Sequence, residues 1–363
     1  FPNVHALRTQ EWQDKSGYTY GLHGTPTTFT LEERIATLEG GRFCVLAPSG
    51  LSAVSLVDMA FLRQGDELLI PDNAYGPNKA FASVELAAWG ITHRYYDAQN
   101  PADLAAKISP ATRLVWLEAP GSITLEFPDL PALVATVQQA NAAREGERPI
   151  LTALDNTWGA GIAFNAFELG ADMSMQALTK YPSGGADVLM GSVVTRDESL
   201  HQQLLMTHMR LGLGVSGNDT ELVLRGLNTM ALRYQAQDAA TRALATWMQA
   251  QPGVVQVLHP ALPGSPGHAN WRRDAKAAAC LFSVVFDPRF SLAQVDAFCD
   301  RLKLFKLGWS WAGPISLCAP YNVSAIRTQG WPHRGCLVRF AVGLESVDDL
   351  RADLAQALAT LNA

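Results

Sequence analysis

The chain has 363 residues, of which 48% are hydrophobic and 17% are charged. This composition supports a sizeable core and excludes an intrinsically disordered chain. The formal net charge is −6 and the basic residues are scattered, so we exclude nucleic acid as the main partner. The longest apolar runs are too short to span a bilayer, and no secretory leader is visible. We therefore expect a cytoplasmic protein that does not associate with membranes.

The first segment of the chain differs from the rest. Residues 1–30 are polar and show little regular apolar spacing, which predicts an N-terminal arm. An amphipathic helix is predicted from Leu31, because Ile35 and Leu38 share one face and Gly40-Gly41 ends the pattern.

Short apolar strands then alternate with helical segments. This alternation indicates an α/β domain with a mostly parallel sheet, which we assign to residues 31–222. A long helical stretch follows, and after it come further strands and helices that predict a smaller α/β domain over residues 223–363. Ligands of mostly parallel sheets bind at the carboxyl ends of the strands.

The cysteines do not suggest a disulfide framework or a metal site. They are odd in number and far apart, and no CxxC or HExxH spacing occurs. We therefore predict free, mostly buried thiols and no metal, the cysteines being Cys44, Cys280, Cys299, Cys318 and Cys336.

One glycine motif is interpreted as structural. Residues 212–217 read GLGVSG and satisfy the GxGxxG pattern literally. They follow a helical segment, and no strand–helix–strand unit with a downstream acid surrounds them. We predict a connection between two helices.

Lys180 is the first candidate for chemistry. It is the only lysine between Lys107 and Lys276 and lies among small residues in LTKYPSGG. A lone lysine usually extends its charge to the surface. A buried lysine with a lowered pKa is instead an amine nucleophile that can form a Schiff base.

Three further features change the interpretation of this lysine. Asp155 ends an apolar strand in ILTALDNTWG; an acid there can keep a pyridine nitrogen protonated, although it is equally typical of a helix or loop cap. In APSGLSAV, Ser49-Gly50 open a helix whose free N–H groups suit a phosphate. Tyr75 follows the next strand and is placed to stack on a ring. Together these features suggest pyridoxal phosphate.

The sequence resembles the Cys/Met-metabolism family of pyridoxal-phosphate enzymes, and within it most closely the bacterial cystathionine β-lyases. The likeness runs nearly end to end, and its most specific motifs are LDNTW and TKYPSGGAD, with EAPGSIT, HPALPGSPGHANWRRD, WSWAGPISL and RFAVGLESVDDL. It implies the aspartate-aminotransferase-like fold, which is fold type I of these enzymes. That fold has a large mostly parallel-sheet domain and a smaller C-terminal α/β domain.

The resemblance also implies roles for cofactor-binding residues. Lys180 would hold the cofactor aldehyde and carry a proton, Asp155 would pair with the pyridine nitrogen, and Tyr75 would stack on the ring and take part in catalysis. The cofactor phosphate would be bound by Gly50, Leu51 and Thr179.

Substrate contacts follow from the same resemblance. Arg339 would bind the α-carboxylate, where a planar guanidinium suits a bidentate contact. Trp309, Ser310 and Trp311 would border the substrate. Tyr20, a further cofactor-binding residue, would reach in from a neighbouring subunit of a homotetramer, so the arm would complete the site of another chain.

Two positions depart from the family pattern. Leu22 stands where relatives commonly carry an arginine that contacts the phosphate, and His23 is a possible substitute. Ala177 stands where many relatives have a serine, which removes a possible hydroxyl donor.

The implied reaction is β-elimination from L-cystathionine, which yields homocysteine, pyruvate and ammonia in methionine biosynthesis. Trp309 stands where γ-acting relatives tend to carry an acid, and EAPGSI resembles the β-lyase version of its motif. Three alternatives stay open: a γ-lyase or γ-synthase, a broad carbon–sulfur lyase for cysteine or methionine derivatives, and a non-catalytic protein that binds pyridoxal phosphate.

Overall fold

The computed structural model describes residues 1–15, 17–144, 146 and 148–361. Residue 16 of the predicted arm, residues 145 and 147 of the predicted large domain and residues 362–363 of the predicted small domain lie outside the described residues. In the first half of the chain the elements are α1 (Val4–Thr9), α2 (Pro26–Glu39), β1 (Phe43–Ala47), α3 (Gly50–Phe61), β2 (Glu67–Pro71), α4 (Gly76–Phe81), β3 (Thr92–Tyr96), α5 (Pro101–Lys107), β4 (Thr112–Glu118), α6 (Leu130–Ala142), β5 (Leu151–Asp155), β6 (Met173–Ala177) and β7 (Gly191–Thr195).

The second half is richer in helix. Its elements are α7 (Glu198–Leu211), α8 (Gly217–Gln249), β8 (Val254–Leu258), α9 (His268–Asp274), β9 (Leu281–Phe286), α10 (Leu292–Arg301), β10 (Lys306–Leu307), β11 (Leu317–Tyr321), α11 (Val323–Ile326), β12 (Leu337–Ala341) and α12 (Val347–Leu361). Short 3₁₀ turns cover Trp12–Asp14 and Gly21–His23, and a π-helical turn continues α4 over Ala82–Leu86.

Two sheets organise these elements. The larger sheet has seven strands in the order β1-β7-β6-β5-β4-β2-β3. Its pairs from β6 to β3 are parallel, and β7 runs antiparallel to both of its neighbours. The smaller sheet has the order β10-β11-β12-β9-β8 and is mixed, because β10 pairs parallel with β11. The α/β class and the mostly parallel main sheet are therefore confirmed.

One helix boundary differs from the sequence prediction. The first core helix, α2, begins at Pro26, five residues before the predicted start. Pro26 occupies the first helical position, and the N–H of Thr25 donates to the Thr28 hydroxyl oxygen at 2.8 Å. The predicted boundary between the domains, after residue 222, falls inside α8, so the division into domains stays a prediction.

Other sequence predictions can be compared directly with the described residues. The GLGVSG segment connects α7 to α8, as predicted. All five cysteines are free, and four are buried. Within the described ranges no group of His, Cys, Asp and Glu side chains could hold a metal ion, and none of the described helices is long and apolar enough to cross a bilayer.

A buried carboxyl group ties α2 to the edge of the main sheet where the site forms. Glu39 is fully buried, and its Oε2 accepts hydrogen bonds from Asn156 Nδ2 at 2.9 Å and Ser174 Oγ at 2.6 Å. Asn156 directly follows Asp155 at the end of β5, and Ser174 lies in β6. The end of α2 is therefore fixed against the strands that carry the candidate functional residues.

Replacing Glu39 by glutamine should stabilise the protein above neutral pH. Burial raises the pKa of Glu39 from 4.5 to about 7. The folded protein therefore holds a proton there that the unfolded chain has released. The resulting stabilisation is complete below the unfolded pKa and is lost as the pH rises through about 7. Glutamine keeps an oxygen for both donors without a charge, so the free energy of unfolding near pH 8 should rise by about 1–3 kcal/mol.

Urea unfolding at about pH 5 and about pH 8 measures this difference. The gain should shrink at the lower pH, where the wild-type carboxyl is protonated. If the Glu39→Gln variant keeps the wild-type pH dependence, Glu39 does not titrate in this range and the assigned cause is wrong.

Candidate active site

The carboxyl ends of the parallel strands border a cavity of about 570 Å³. The α3 amino terminus, the loops after β2, β4, β5 and β6, and segments of the second sheet close its sides. The structure brings ten of the eleven predicted site residues to its lining, and these are Gly50, Leu51, Tyr75, Asp155, Thr179, Lys180, Trp309, Ser310, Trp311 and Arg339. The eleventh, Tyr20, is absent from this lining and is 67% exposed on the arm.

Lys180 projects its amine into the cavity from a tight turn after β6. The N–H of Lys180 donates to the carbonyl of Ala177 at 3.1 Å, and the N–H of Gly184 donates to the carbonyl of Lys180 at 2.9 Å. Its Nζ donates to Ser310 Oγ at 2.7 Å and lies 5.3 Å from the centre of the Trp311 ring. The amine therefore lies between its own turn and the loop that connects β10 to β11.

The environment of Lys180 makes its amine a nucleophile near neutral pH. Burial is the largest cause and repulsion by the Arg339 guanidinium the next; together they lower the pKa of Lys180 from 10.5 to about 8. A substantial fraction of the amine is therefore unprotonated under physiological conditions. Lys180 is half-buried, so it is not a surface lysine that extends its charge into solvent.

The small residues after Lys180 pack against an arginine that the sequence analysis missed. Gly184 has φ +66°, and a Cβ at this position would collide with the guanidinium of Arg233. Arg233 Nη2 donates to the carbonyls of Tyr181 at 2.8 Å and Gly226 at 2.9 Å. The glycine is thus required by backbone conformation and by the arginine that supports the turn.

Two acids end neighbouring strands at the base of the cavity. Asp155 on β5 is in register with Glu118 on β4. Asp155 Oδ1 accepts from the N–H of Thr157 at 3.0 Å, and Glu118 Oε2 accepts from the N–H of Tyr75 at 2.8 Å. Burial raises the pKa of both carboxyls, and the negative charge of Asp155 raises that of Glu118 further. The nearby positive charge of Lys180 acts in the opposite direction at Asp155, because it lowers the pKa of that carboxyl.

Glu118 was not singled out from the sequence, although the signal was present. It is an acid at the end of an apolar strand in RLVWLEAP, the same pattern that identified Asp155. The hydrogen bond between Glu118 and the Tyr75 backbone holds the start of α4. Tyr75 is the N-cap residue of this helix and is 40% exposed. Burial and the two acids raise the pKa of the Tyr75 phenol, so this hydroxyl keeps its proton and can donate it.

The amino terminus of α3 provides an anion site beside β6. Ser49 caps this helix by accepting the N–H of Ser52. A Cβ on Gly50 would lie 2.7 Å from the Cβ of Ala177, so a glycine and a small neighbour let the helix end approach the strand. The Thr179 hydroxyl lies nearby and is bonded to the backbone of Met190, donating at 3.3 Å and accepting at 3.2 Å.

Arg339 brings a second cation to the cavity from β12. Arg339 is 5% exposed, and its guanidinium donates to the carbonyls of Ser122 at 3.0 Å and Trp309 at 2.7 Å. It also lies 5.3 Å from the centre of the Tyr321 ring. The Trp309 side chain is 78% exposed at the cavity mouth, whereas Trp311 packs beside Lys180.

The comparisons with known proteins agree with this geometry. The model of the Cys/Met metabolism PLP-dependent enzyme family matches residues 3–359, and the chain belongs to this family. It is 39% identical to the cystathionine beta-lyase of Salmonella typhimurium over 346 residues, 94% of this chain and 86% of the relative. Identity to the cystathionine beta-lyase of Escherichia coli is 38% over 339 residues, 92% of this chain and 84% of the relative.

A solved structure shows the same fold. The crystal structure of cystathionine gamma synthase from Xanthomonas oryzae pv. oryzae in complex with cystathionine superposes with a TM-score of 0.87. The identity is 31%, and the match covers 95% of this chain and 88% of that one. The fold is therefore the type I fold of pyridoxal-phosphate enzymes, and the family depends on pyridoxal phosphate.

The residues present fit this cofactor. The cavity combines an amine of lowered pKa for the aldehyde, an acid for the ring nitrogen and a helix amino terminus for the phosphate. Leu22, which replaces the usual arginine, packs its side chain against Gly214 of the same chain. His23 stacks on Trp12, and neither residue 22 nor residue 23 lines the cavity.

Replacing Arg339 by glutamine should raise the pKa of Lys180 above its value of about 8, because the repulsion that helps to depress it disappears. Arg339→Lys keeps the charge and is the matched control. The pH dependence of acylation of Lys180 in the cofactor-free protein, followed by mass spectrometry of the labelled peptide, measures the pKa. The same pKa in the glutamine variant and the wild type would show that burial alone depresses it.

Proposed function

We propose that this protein is a carbon–sulfur β-lyase that cleaves L-cystathionine to homocysteine, pyruvate and ammonia, a step of methionine biosynthesis. The observation that carries the proposal is the Lys180 amine, with a pKa of about 8, in a cavity that also contains Asp155 and Arg339. The β-lyase names of the two relatives support β-cleavage. The apolar ring of Trp309, where γ-acting relatives tend to have an acid, supports the same reaction.

Bound pyridoxal phosphate supplies an aldehyde that condenses with amines and a ring that accepts the electron pair released at the substrate Cα. Asp155 would accept a hydrogen bond from the protonated ring nitrogen and stabilise its positive charge. Burial raises the pKa of Asp155, and its hydrogen bonds with Thr157 and the nearby charge of Lys180 partly oppose that rise. Gly50, Leu51 and Thr179 would hold the phosphate.

Arg339 would bind the substrate α-carboxylate and so orient the Cα–H bond towards Lys180. The free amine of Lys180 would then remove the Cα proton, for which an amine of pKa about 8 is well matched near neutral pH. The electron pair from that C–H bond forms the new carbon–carbon double bond as the Cβ–S bond breaks. The sulfur leaves with the bonding pair as a thiolate, and water later converts the remaining fragment to pyruvate and ammonia.

A proton must reach the departing sulfur. Lys180, once protonated, and the Tyr75 hydroxyl both line the cavity and are the candidate donors. The raised pKa of Tyr75 keeps its hydroxyl protonated before the bond breaks. Glu118 acts through the backbone of Tyr75 and positions it.

The second candidate function is that of a γ-lyase or γ-synthase, or of a carbon–sulfur lyase that accepts a broader range of thioether amino acids. The similarity to a γ-synthase that binds cystathionine favours this alternative. A non-catalytic protein that binds pyridoxal phosphate is the third possibility. It would be a yellow protein that releases no keto acid from any thioether amino acid.

Outside the site of its own chain, Tyr20 is proposed to complete the cavity of a second copy within a homotetramer. Its 67% exposure and its position away from the lining support that role. We also propose that the protein acts in the cytoplasm, in keeping with its scattered charges and with its family.

Incubation of the purified protein with L-cystathionine and pyridoxal phosphate should release pyruvate and homocysteine in equal amounts. Chromatographic identification of the keto acid is the measurement. The proposal predicts pyruvate because the Cβ–S bond breaks, and 2-oxobutyrate as the main product would establish γ-cleavage instead.

The Lys180→Ala variant should lose turnover by at least about a thousandfold, because both the cofactor attachment and the Cα base disappear. Its visible absorption from covalently held cofactor should also vanish. Lys276→Ala, which removes an exposed lysine outside the cavity, is the control and should behave as the wild type. Retained β-elimination in Lys180→Ala would rule out the assigned base.

A further inference from the structure

The described lining of the cavity contains four cationic side chains, and three of them already have a use. Lys180 is the nucleophile, and Arg339 donates to two backbone carbonyls at the substrate side. Lys79 donates all three of its ammonium protons, to Asp72 O at 2.9 Å, Asp72 Oδ1 at 3.0 Å and Ile326 O at 2.8 Å. The fourth cation is Arg327, which follows α11.

Arg327 keeps most of its hydrogen-bonding capacity available. Its Nη2 donates to Glu126 Oε1 at 2.6 Å, and Glu126 is the one hydrogen-bond partner of the guanidinium among the described residues. The Arg327 side chain is 16% exposed, and its guanidinium lies 5.9 Å from the centre of the Trp331 ring. A guanidinium has five N–H donors, so several remain for a ligand in the cavity.

The surrounding contacts hold Arg327 in place before any ligand binds. The buried Glu126 carboxylate also accepts from Asn73 Nδ2 at 3.2 Å and from the Thr124 hydroxyl. On the chain beyond Arg327, the Asp72 carboxylate accepts the N–H of Thr328 at 3.0 Å and that of Gln329 at 2.9 Å. Little conformational freedom remains to be lost when a ligand binds, and this favours affinity.

A planar guanidinium with free donors matches a carboxylate. The proposed substrate has two carboxylates, one on each side of the sulfur, and Arg339 accounts for the one beside the reacting Cα. We infer that Arg327 binds the carboxylate at the far end of the substrate and thereby selects thioethers of L-cysteine that carry a distal acid. This inference rests on the proposed function, because it assigns the remaining half of that substrate.

Two ligands that differ only in the distal acid test this inference. They are the S-carboxypropyl and S-propyl thioethers of L-cysteine. Each is mixed rapidly with the protein loaded with pyridoxal phosphate, and the early change in cofactor absorption, recorded before pyruvate accumulates, gives the dissociation constant. In Arg327→Gln the dissociation constant of the carboxypropyl ligand should rise roughly 10- to 100-fold, whereas that of the propyl ligand should change by less than about twofold.

A control variant separates recognition from support of the loop. Thr328→Val removes the bond from Thr328 Oγ1 to Asp72 Oδ1, 2.9 Å long, and leaves the guanidinium in place. This variant should keep the wild-type ratio of the two dissociation constants. Thermal unfolding of both variants verifies that they are folded.

The outcomes are distinguishable from failure of the proposed function. If Arg327→Gln weakens both ligands by the same factor, or if the wild-type protein fails to prefer the carboxypropyl ligand, the inference is overturned. If the wild-type protein binds that ligand tightly through Arg327 but releases no pyruvate from L-cystathionine, the recognition stands and the β-lyase reaction is wrong.

Discussion

The parallel pairing of β4, β5 and β6 is the constraint on which the site depends. In-register pairing places Glu118 beside Asp155, and the strand next to them leads into the turn that carries Lys180. Because parallel strands end at the same edge, residues far apart in sequence converge there. Glu39 of α2 stabilises this edge, because its carboxyl group accepts hydrogen bonds from the side chains of Asn156 and Ser174.

The charged groups at this edge change one another's pKa values. Burial alone would neutralise Lys180, Asp155 and Glu118, since each charged form loses contact with water. Lys180 opposes that effect at Asp155, and Arg339 lowers the pKa of Lys180. An amine of lowered pKa therefore lies near a buried acid. That pairing suits a cofactor with an electrophilic aldehyde and a basic ring nitrogen.

The second sheet and the loops between its strands supply the other wall of the cavity and two of its cations, Arg327 and Arg339. Ser310 receives a hydrogen bond from Lys180, and Arg339 is held by carbonyls on both sides of the cavity, Ser122 and Trp309. Asp72 after β2 and Glu126 after β4 bind residues 327–329. The shape of the substrate side therefore depends on contacts between segments more than two hundred residues apart.

Local sequence determined the α/β class, the strand-end acid Asp155, the helix start at Gly50 and the exceptional lysine, because each depends on apolar spacing or on a neighbouring residue. The convergence of Glu118 with Tyr75, the support of Gly184 by Arg233, and the placement of Arg327 in the cavity were decided by tertiary structure. Strand order and packing between distant segments create those contacts, and no local pattern encodes them. The lowered pKa of Lys180 belongs to the same group, since burial and a cation from β12 produce it.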